Sequence, residues 1–280
     1  MATLVFGASG FLGSRITDWL EQKDESITLG TNSPDIHKQN CIKNYTNLND
    51  EELENLIRNF KTIYDASGIG ASMEEYSFND YLNKNSIWPS RLARACIKTN
   101  TRLIWLSTIH CEKYEKNPNN IYDRYSLSKF IGEETIKAIP NWEQNILIIR
   151  LGNITGSPGK LYRGKSNLFA MDIASNLVKN NQATITSNID SEINITSLNG
   201  FLDFINEIKY GQQIFCSSYN YKLSELAICI KNCYEYATKV NSNILFKGQD
   251  IDNKKELVFP EIINKDIKEL LKYYLSKKYI

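Results

Sequence analysis

Tyr125 and Lys129 are the residues whose types and spacing point most directly to chemistry. The segment around them predicts a helix, and residues four apart on a helix lie on the same face, so the phenol and the ammonium can approach each other. A free tyrosine has a pKa near 10, and a nearby ammonium favours its phenolate, which makes the phenol a usable acid or base near neutral pH. The spacing predicts a proton-transfer site. A chain with 16 tyrosines can contain YxxxK by chance, so the surrounding motifs must decide.

A glycine-rich turn near the start of the chain is the second chemical signal. Its residues are, in order, Gly7, Ala8, Ser9, Gly10, Phe11, Leu12 and Gly13. The turn follows a predicted strand and opens a predicted helix. In that position glycines permit a tight turn and close backbone approach to a pyrophosphate, and the helix N-terminus offers its amides to the anion. The turn therefore predicts a dinucleotide cofactor.

Short apolar runs and helical patterns alternate through the first half of the chain and must position both motifs. The predicted strands cover residues 2–6, 27–31, 62–66, 102–107 and 145–150. The predicted helices cover residues 11–22, 50–59, 79–99 and 123–138. This alternation is the signature of βαβ units, so we predict an α/β fold with a doubly wound, Rossmann-type parallel sheet.

The segment from Pro158 to Lys165 is rich in glycine, proline and basic residues and interrupts the alternation. We predict a dinucleotide-binding domain over residues 1–157, to which a strand near 213–217 returns. Residues 158–280 are expected to form mainly a smaller, C-terminal substrate-binding lobe. Its expected elements are helices at 166–180, 223–238 and 264–277 and a strand at 183–186. One face of the last helix carries apolar residues that should pack on the body, namely Ile267, Leu270, Leu271, Tyr274 and Leu275.

The composition argues against several classes of protein. The 33 basic and 32 acidic residues are mixed along the chain, which argues against nucleic acid as a partner. No apolar run approaches the roughly 20 residues that span a bilayer, and the chain opens on a strand-like run, so we expect no membrane partner and a cytoplasmic location. The chain has only two histidines and six scattered cysteines, so no metal site is predicted.

Together, the glycine turn and the YxxxK pair resemble the extended short-chain dehydrogenase/reductase family, also called the NAD-dependent epimerase/dehydratase family. The resemblance covers residues 1 to about 160 and implies a nicotinamide cofactor and a nucleotide-linked sugar as substrate. It implies cofactor contacts from two further segments, with Asn47 and Leu48 beside adenine and Ala66, Ser67 and Gly68 along the cofactor. Asn85 begins a segment that resembles the family's Asn-containing helix. Family members often dimerise through a helix pair that includes the YxxxK helix, which makes a homodimer an expectation of the resemblance alone.

The resemblance also implies roles for individual side chains. Thr108 ends an apolar strand where the family has a hydroxyl that hydrogen-bonds the substrate carbonyl or alcohol, with Ser107 as the second choice. Lys129 would hold the nicotinamide ribose as well as act on Tyr125. Asn153, in a segment that is similar to the family's RxxNxxGPG pattern, would contact the substrate's phosphates.

The end of the second predicted strand bears on the choice between NAD and NADP. An NAD-selective site places a carboxylate on the ribose 2′-hydroxyl, but the residues here are Thr31, Asn32 and Ser33. These polar side chains could hold a 2′-phosphate with help from Arg15 or Lys38. We therefore expect NADP(H), with NAD(H) as the alternative, since Asp35 follows closely.

Three functions remain open at this stage. Ile109 and His110 stand where 4,6-dehydratases of the family have Asp-Glu, so dehydration lacks its carboxyl acid, and Cys111 is displaced from the position that a catalytic cysteine would need. The NADP-like site and the short chain favour an oxidoreductase that reduces the 4-keto group of a nucleotide-linked deoxysugar. The alternatives are an NAD-dependent nucleotide-sugar 4-epimerase and a non-catalytic NAD(P)-binding regulator. His110 lies near the predicted site, in either a supporting or a catalytic role.

Overall fold

The structure is a computed structural model of the 280-residue chain, and it describes residues 2–33, 35–36, 40–71, 75–119, 123–164, 168–188, 190–205, 207–208, 214–215, 218–246, 249–250 and 259–278. In chain order the strands are β1 (Ala2–Phe6), β2 (Ile27–Gly30), β3 (Cys41–Ile42), β4 (Phe60–Asp65), β5 (Arg102–Thr108), β6 (Ile146–Leu151), β7 (Asn153–Thr155), β8 (Gln182–Ile185), β9 (Glu192–Ser197), β10 (Ile214–Phe215), β11 (Ser218–Lys222), β12 (Asn243–Phe246) and β13 (Gln249–Asp250). The helices are α1 (Phe11–Glu21), α2 (Asp50–Ile57), α3 (Phe78–Leu82), α4 (Trp88–Thr99), α5 (Cys111–Lys116), α6 (Arg124–Lys137), α7 (Phe169–Asn180), α8 (Leu198–Phe204), α9 (Leu223–Thr238) and α10 (Glu261–Lys278).

The first of two compact units comprises Met1–Leu151, Pro158–Gly164 and Glu207–Phe215 and is built on a seven-stranded sheet. The strand order is β10-β6-β5-β4-β1-β2-β3, and every paired neighbour is parallel. β1 lies between β2 and β4, so the strand order reverses there, as in the doubly wound sheet that the alternation predicts. Ligands bind at such a reversal, beyond the carboxyl ends of the strands.

The strands β1, β5 and β6 are buried on both faces because helices cover the sheet, which explains their nearly continuous apolar sequences. One core cluster joins β1, β4, β5 and β6 to α2 and α4 and includes Phe6, Ile63, Leu92, Trp105 and Ile148. The helices α2 and α6 begin at polar caps. The Asn49 side chain accepts from the Glu52 amide at α2, and the Asp123 side chain accepts from the Ser126 amide at α6. Local sequence and core packing therefore specify the same elements.

The second compact unit comprises Gly152–Ser157, Lys165–Asn206 and Cys216–Ile280. It contains two three-stranded sheets, with the orders β11-β9-β7 and β13-β12-β8, and the helices α7, α8, α9 and α10. Asp266 on α10 is fully buried and accepts hydrogen bonds from the Leu198 and Asn199 amides and from the Thr155 hydroxyl, at 3.0, 3.3 and 3.0 Å. A carboxylate from a distant helix thus satisfies the first amides of α8.

The division between the units differs from the predicted boundary after residue 157. Residues 152–157 belong to the second unit, whereas Pro158–Gly164 belongs to the first. The Gly159 amide donates to the Ser14 hydroxyl at 3.0 Å, and the Lys160 amide donates to Asp18 Oδ2 at 3.0 Å. The glycine- and proline-rich segment therefore packs on α1 and does not act as a linker. The short strand β10, near the predicted strand at 213–217, pairs with β6 in the large sheet.

Most predicted elements agree with the structure within a few residues, and the differences have local causes. The predicted helix at 79–99 is α3 and α4 joined by a π-helical turn at Asn83–Ile87. The predicted helix face on α10 is confirmed, since Ile267, Leu270 and Leu271 are at most 2% exposed. The sequence prediction missed α5, α8 and the short strands β3, β7, β9, β11, β12 and β13.

Candidate active site

Most of the predicted site residues of the first unit lie at the carboxyl ends of β1, β2, β4 and β5 and in the first turns of α1 and α6. Gly7 directly follows β1 and has φ of +72°. A Cβ there would meet the Ala66 carbonyl oxygen at 2.4 Å. The backbone at the turn after β1 and the backbone at the turn after β4 therefore touch, and only glycine permits this approach.

The glycine turn offers the N-terminus of α1 to a ligand. Gly10 is the N-cap residue, and within the described chain no side chain caps the helix. The Ser9 carbonyl oxygen accepts from the Arg163 amide at 3.0 Å, so residues 158–164 hold the turn from one side. Backbone amides at such a helix end can bind the pyrophosphate of a dinucleotide. The cofactor role of Gly7, Ser9, Gly10, Phe11, Leu12 and Gly13 stays a prediction.

Thr31, Asn32 and Ser33 follow β2 and differ from one another in exposure. Thr31 is buried, and its hydroxyl donates to Ser9 Oγ at 2.8 Å and accepts from the Ser33 amide at 3.1 Å. Asn32 is exposed and accepts from the Asn44 amide at 2.9 Å. The Lys43 ammonium donates to the Ser33 carbonyl oxygen.

Lys43 follows the two-residue strand β3 in the chain, and its ammonium lies beside Ser33, which follows β2. Sequence reasoning missed this basic residue because so short a strand could not be predicted. Of the two cations that the sequence proposed for this position, Arg15 lies on α1 and Lys38 lies outside the described residues. Asn47 is the last residue of the 3₁₀ turn Tyr45–Asn47 and is exposed. Leu48 follows this turn and is half-buried.

The last residue of β4, Asp65, is a buried carboxylate whose contacts sequence reasoning also missed. Asp65 is 2% exposed and accepts from the Ser67 hydroxyl at 2.5 Å and from the Ser67 amide at 3.1 Å. Burial raises the pKa of Asp65, and the Ser67 hydrogen bonds and the positive charge of Lys129 partly offset this rise. The loop of Ala66, Ser67 and Gly68 is therefore fixed to the strand end.

Asn85 ties this loop to α6. Its amide donates to the Ile69 carbonyl oxygen at 3.1 Å and to the Ser128 hydroxyl at 3.0 Å, and its oxygen accepts from the Ile69 amide at 2.9 Å. Asn85 lies in the π-helical turn, an irregularity that often occurs at functional sites. A Cβ at Gly68 would come within 2.8 Å of Lys129 Nζ, so the loop also touches the predicted catalytic lysine.

Thr108, Tyr125 and Lys129 come together at the end of β5. The Thr108 hydroxyl hydrogen-bonds the Tyr125 phenol, and Lys129 Nζ donates to the Leu106 carbonyl oxygen at 2.8 Å. Ser107, the second choice for the hydroxyl, instead donates to Glu133 Oε1 at 2.5 Å. Thr108 is therefore the strand-end hydroxyl on the side of the tyrosine.

The electrostatics of the tyrosine and the lysine differ from the expectation of a tyrosine with a lowered pKa. Burial raises the pKa of Tyr125, and the hydrogen bond with Thr108 offsets this only in part. Burial lowers the pKa of Lys129 to about 8, against the opposing charges of Asp65, Cys111 and Glu133. The phenol is therefore protonated at neutral pH, as a proton donor must be, while the lysine remains cationic below about pH 8.

His110 and Cys111 follow Thr108 at the start of α5. The His110 amide donates to Thr108 Oγ1 at 3.4 Å, and burial lowers the pKa of the imidazole. Burial and the Glu133 charge raise the pKa of Cys111 to about 12, so its thiol is protonated at neutral pH. Among the described residues, no group of three or more potential ligands could hold a metal ion.

Asn153, the predicted phosphate ligand of the substrate, belongs to the second unit, on β7. Its amide donates to the Asn194 carbonyl oxygen of β9 at 3.4 Å. The arginine of the same sequence motif, Arg150, lies in the first unit and pairs with Glu133. One continuous motif thus contributes to both units.

Comparisons with known proteins place the chain in a family. The model of the NAD dependent epimerase/dehydratase family matches residues 3–194, so the chain belongs to this family. A search of curated protein sequences finds no significant match. Within the described part of the chain, no helix has the length and apolar character needed to cross a membrane.

Solved structures with the same fold have low sequence identity to this chain. One is a UDP-N-acetylglucosamine 4-epimerase from Methanobrevibacter ruminantium, with 16% identity over 99% of this chain and 98% of that chain and a TM-score of 0.74. A UDP-glucose 4-epimerase from Thermotoga maritima has 15% identity over 100% of both chains and a TM-score of 0.72. A hypothetical dTDP-4-dehydrorhamnose reductase from Sulfolobus tokodaii has 20% identity over 89% of this chain and 86% of that chain and a TM-score of 0.66. Because the chain spans the full length of a 4-epimerase, chain length does not favour the reductase.

Proposed function

We propose that the protein is an oxidoreductase that reduces the 4-keto group of a nucleotide-linked deoxysugar with NADPH. The observation that carries the proposal is the arrangement at the end of β5, where the protonated phenol of Tyr125 meets the Thr108 hydroxyl and the cationic Lys129 donates to the Leu106 carbonyl oxygen. Structures with this fold are described as nucleotide-sugar enzymes, which supports the substrate class.

The side chains would divide the reduction as follows. A bound nicotinamide would supply hydride to the carbonyl carbon. Tyr125 would donate its proton to the carbonyl oxygen as negative charge develops there, and Thr108 would polarise the same oxygen by a hydrogen bond. Lys129 would stabilise the phenolate that remains and hold the nicotinamide ribose. Asn153 would bind the phosphates of the substrate.

The preference for NADPH is supported by the end of β2. No carboxylate occurs among Thr31, Asn32 and Ser33, and the Lys43 ammonium reaches the Ser33 carbonyl oxygen. A cation at this position would attract a 2′-phosphate and would gain nothing from a 2′-hydroxyl. NADH remains the alternative cofactor, and the rates of oxidation of NADPH and NADH distinguish the two.

A 4-epimerase is the second candidate, and the two 4-epimerases that share the fold over nearly their full length favour it. In that reaction the same tyrosine must first accept a proton from the sugar hydroxyl. A phenol that is protonated at neutral pH must lose its own proton before it can accept this one. The residues after β2, which favour NADPH, are the reason that we rank the reductase first.

The test follows absorbance at 340 nm with purified protein, NADPH or NADH, and a panel of 4-keto-6-deoxy sugar nucleotides. We expect oxidation of NADPH that falls at least about 100-fold in Tyr125→Phe, the scale of a lost proton donor. The matched control is Tyr236→Phe, whose ring is 76% exposed on α9.

The other outcomes separate the alternatives. Interconversion of nucleotide sugars without net consumption, together with NAD released on denaturation, would identify the epimerase. Dinucleotide binding without turnover of any substrate, and unaffected by Tyr125→Phe, would favour a non-catalytic regulator.

A further inference from the structure

The last three residues of β5 are each bound to one face of α6. Lys129 Nζ donates to the Leu106 carbonyl oxygen, the Ser107 hydroxyl donates to Glu133, and the Thr108 hydroxyl hydrogen-bonds the phenol of Tyr125. The three α6 residues follow one another at intervals of four, so they line a single face of the helix. Two of these contacts involve candidate catalytic residues, and Glu133 makes the third.

Glu133 is fully buried and is held by Arg150. Arg150 Nε lies 2.9 Å from Oε1 and 3.1 Å from Oε2 of Glu133, and Nη2 lies 2.6 Å from Oε2. Ser107 and Arg150 are opposite each other in the parallel pairing of β5 and β6. Burial of an ion pair is costly unless every group is satisfied, so this geometry constrains the carboxylate strongly.

Further groups surround the pair from two helices. Arg150 also donates to Glu115 on α5, with Nη1 to Oε2 at 2.9 Å. Lys137, one turn beyond Glu133 on α6, lies 3.7 Å from Glu133 and 4.0 Å from Glu115. The Cys111 thiol lies 3.5 Å from Ser107 Oγ. Lys137 also pairs with Glu134, at 2.8 Å, so three carboxylates face two cations in the network behind the strand end.

The carboxylate of Glu133 also acts on Lys129. Three groups raise the pKa of Lys129 against the larger effect of burial, namely Asp65 from β4, Cys111 from α5 and Glu133 from α6 itself. Positions four apart on a helix have Cβ atoms about 6 Å apart, so a charge on one of two buried side chains can act on the other.

We propose that Glu133 is a positioning residue of the active site, which fixes the strand end through Ser107 and faces Lys129 from the next turn of the same helix face. By holding Ser107, Glu133 sets the backbone that presents Thr108 to Tyr125. Only the kinetic part of the following test rests on the proposed function.

The decisive variant is Glu133→Gln, which keeps the shape and the acceptor oxygen but removes the charge. The matched control is Glu134→Gln, which removes the same charge from a neighbouring side chain that is 52% exposed. The readout is an NMR titration of the Lys129 Cε resonance, assigned with Lys129→Arg in protein carrying ¹³C-labelled lysine. This measurement needs neither substrate nor turnover.

The expected wild-type titration midpoint is about 8. Glu133→Gln should lower the midpoint, since a buried carboxylate that raises this pKa is lost, while Glu134→Gln should leave it in place. An unchanged midpoint in Glu133→Gln, or an equal shift in both variants, overturns the proposal.

The kinetic arm measures kcat and KM for NADPH separately. Ser107→Ala should lower kcat about tenfold or more with little change in KM, since it frees the backbone that presents Thr108 and does not touch the pyrophosphate turn. Unchanged kcat in Ser107→Ala overturns the link through Ser107, and this variant decides the matter if Glu133→Gln does not fold. If the wild-type protein oxidises no NADPH, the proposed function fails, and the titration alone decides the role of Glu133.

Discussion

Replacement of Lys129 by methionine should change how the stability of the first unit depends on pH. Lys129 is 5% exposed, and its ammonium lies 4.8 Å from the centre of the Trp105 ring and 2.8 Å from the Leu106 carbonyl oxygen. Burial lowers its pKa to about 8, whereas the ordinary lysine value of 10.5 applies to the unfolded chain. In the folded protein Lys129 therefore loses its proton at a lower pH than in the unfolded chain.

The sign of the effect follows from proton binding. Between about pH 8 and 10.5 the unfolded chain binds the lysine proton and the folded chain does not, so the free energy of unfolding rises with pH. Each pKa unit corresponds to about 1.4 kcal/mol, which gives a rise of about 3 kcal/mol over this window. The penalty for burying the ammonium is fully present below pH 8 and is relieved above it. Lys129→Met has no such proton to lose.

The assay is urea denaturation at several pH values from 7 to 10.5, followed by tryptophan fluorescence. All four tryptophans lie in the unit that contains Lys129, at positions 19, 88, 105 and 142, so the signal reports on that unit. The free energy of unfolding of the wild type, minus that of Lys129→Met, should rise by about 3 kcal/mol across the window. Subtraction removes the titration of groups that both proteins share.

The control for this prediction is Lys98→Met, because the Lys98 side chain is 62% exposed and pairs only at the surface with Glu54. The corresponding difference for Lys98 should stay flat with pH. A flat difference for Lys129 as well would refute the reasoning, since it would mean that the folded protein does not lower the pKa of this lysine.

Three further predictions concern other parts of the chain. Lys43→Gln should raise KM for NADPH about tenfold and leave KM for NADH unchanged in steady-state assays, because one charged hydrogen bond to a 2′-phosphate is lost; equal effects on both cofactors would contradict this role. Asp266→Ala should destabilise the second unit by about 3 kcal/mol and speed hydrogen exchange at the Leu198 amide, because buried donors lose their acceptor; unchanged exchange would contradict it. Among the described cysteines, Cys233 should be alkylated first at pH 7, since a hydrogen bond with Cys229 lowers its pKa. The fast modification, followed by mass spectrometry, should be absent in Cys233→Ser.

The first half of the fold could be predicted because its strands are short apolar runs between helix signals. β1, β5 and β6 are almost entirely buried, and each lies within one residue of its predicted bounds. In the second half the strands are shorter and partly polar. β9 nevertheless carried a readable signal, since Ile193 and Ile195 alternate with Glu192 and Asn194 in the manner of a half-covered strand. A two-residue strand such as β3 has no pattern to detect.

The site could be predicted only where its residues form a local motif. Tyr125 and Lys129 share one helix face, and Gly7 opens a turn with a known spacing. Asp65 and Glu133 were missed because a carboxylate reads as a surface residue until its partners are known. The partners of Glu133 lie 26 residues before it at Ser107 and 17 residues after it at Arg150. The interval of four residues from Lys129 to Glu133 was the available clue.

The helix that carries the candidate catalytic residues depends on the contacts of these residues for its own stability. α6 buries mainly polar or small residues, including Ser126, Ser128, Lys129 and Glu133, whereas α4 buries an apolar face. Such a face gains little from the hydrophobic effect and is stable only when each polar atom finds a partner. The Ser86 hydroxyl satisfies the Ser128 carbonyl oxygen at 2.6 Å, and the end of β5 satisfies Lys129 and Glu133. The contacts that place the reacting groups are therefore the same contacts that hold the helix to the sheet, which is why apolar periodicity alone would not have marked α6 as a helix of the core.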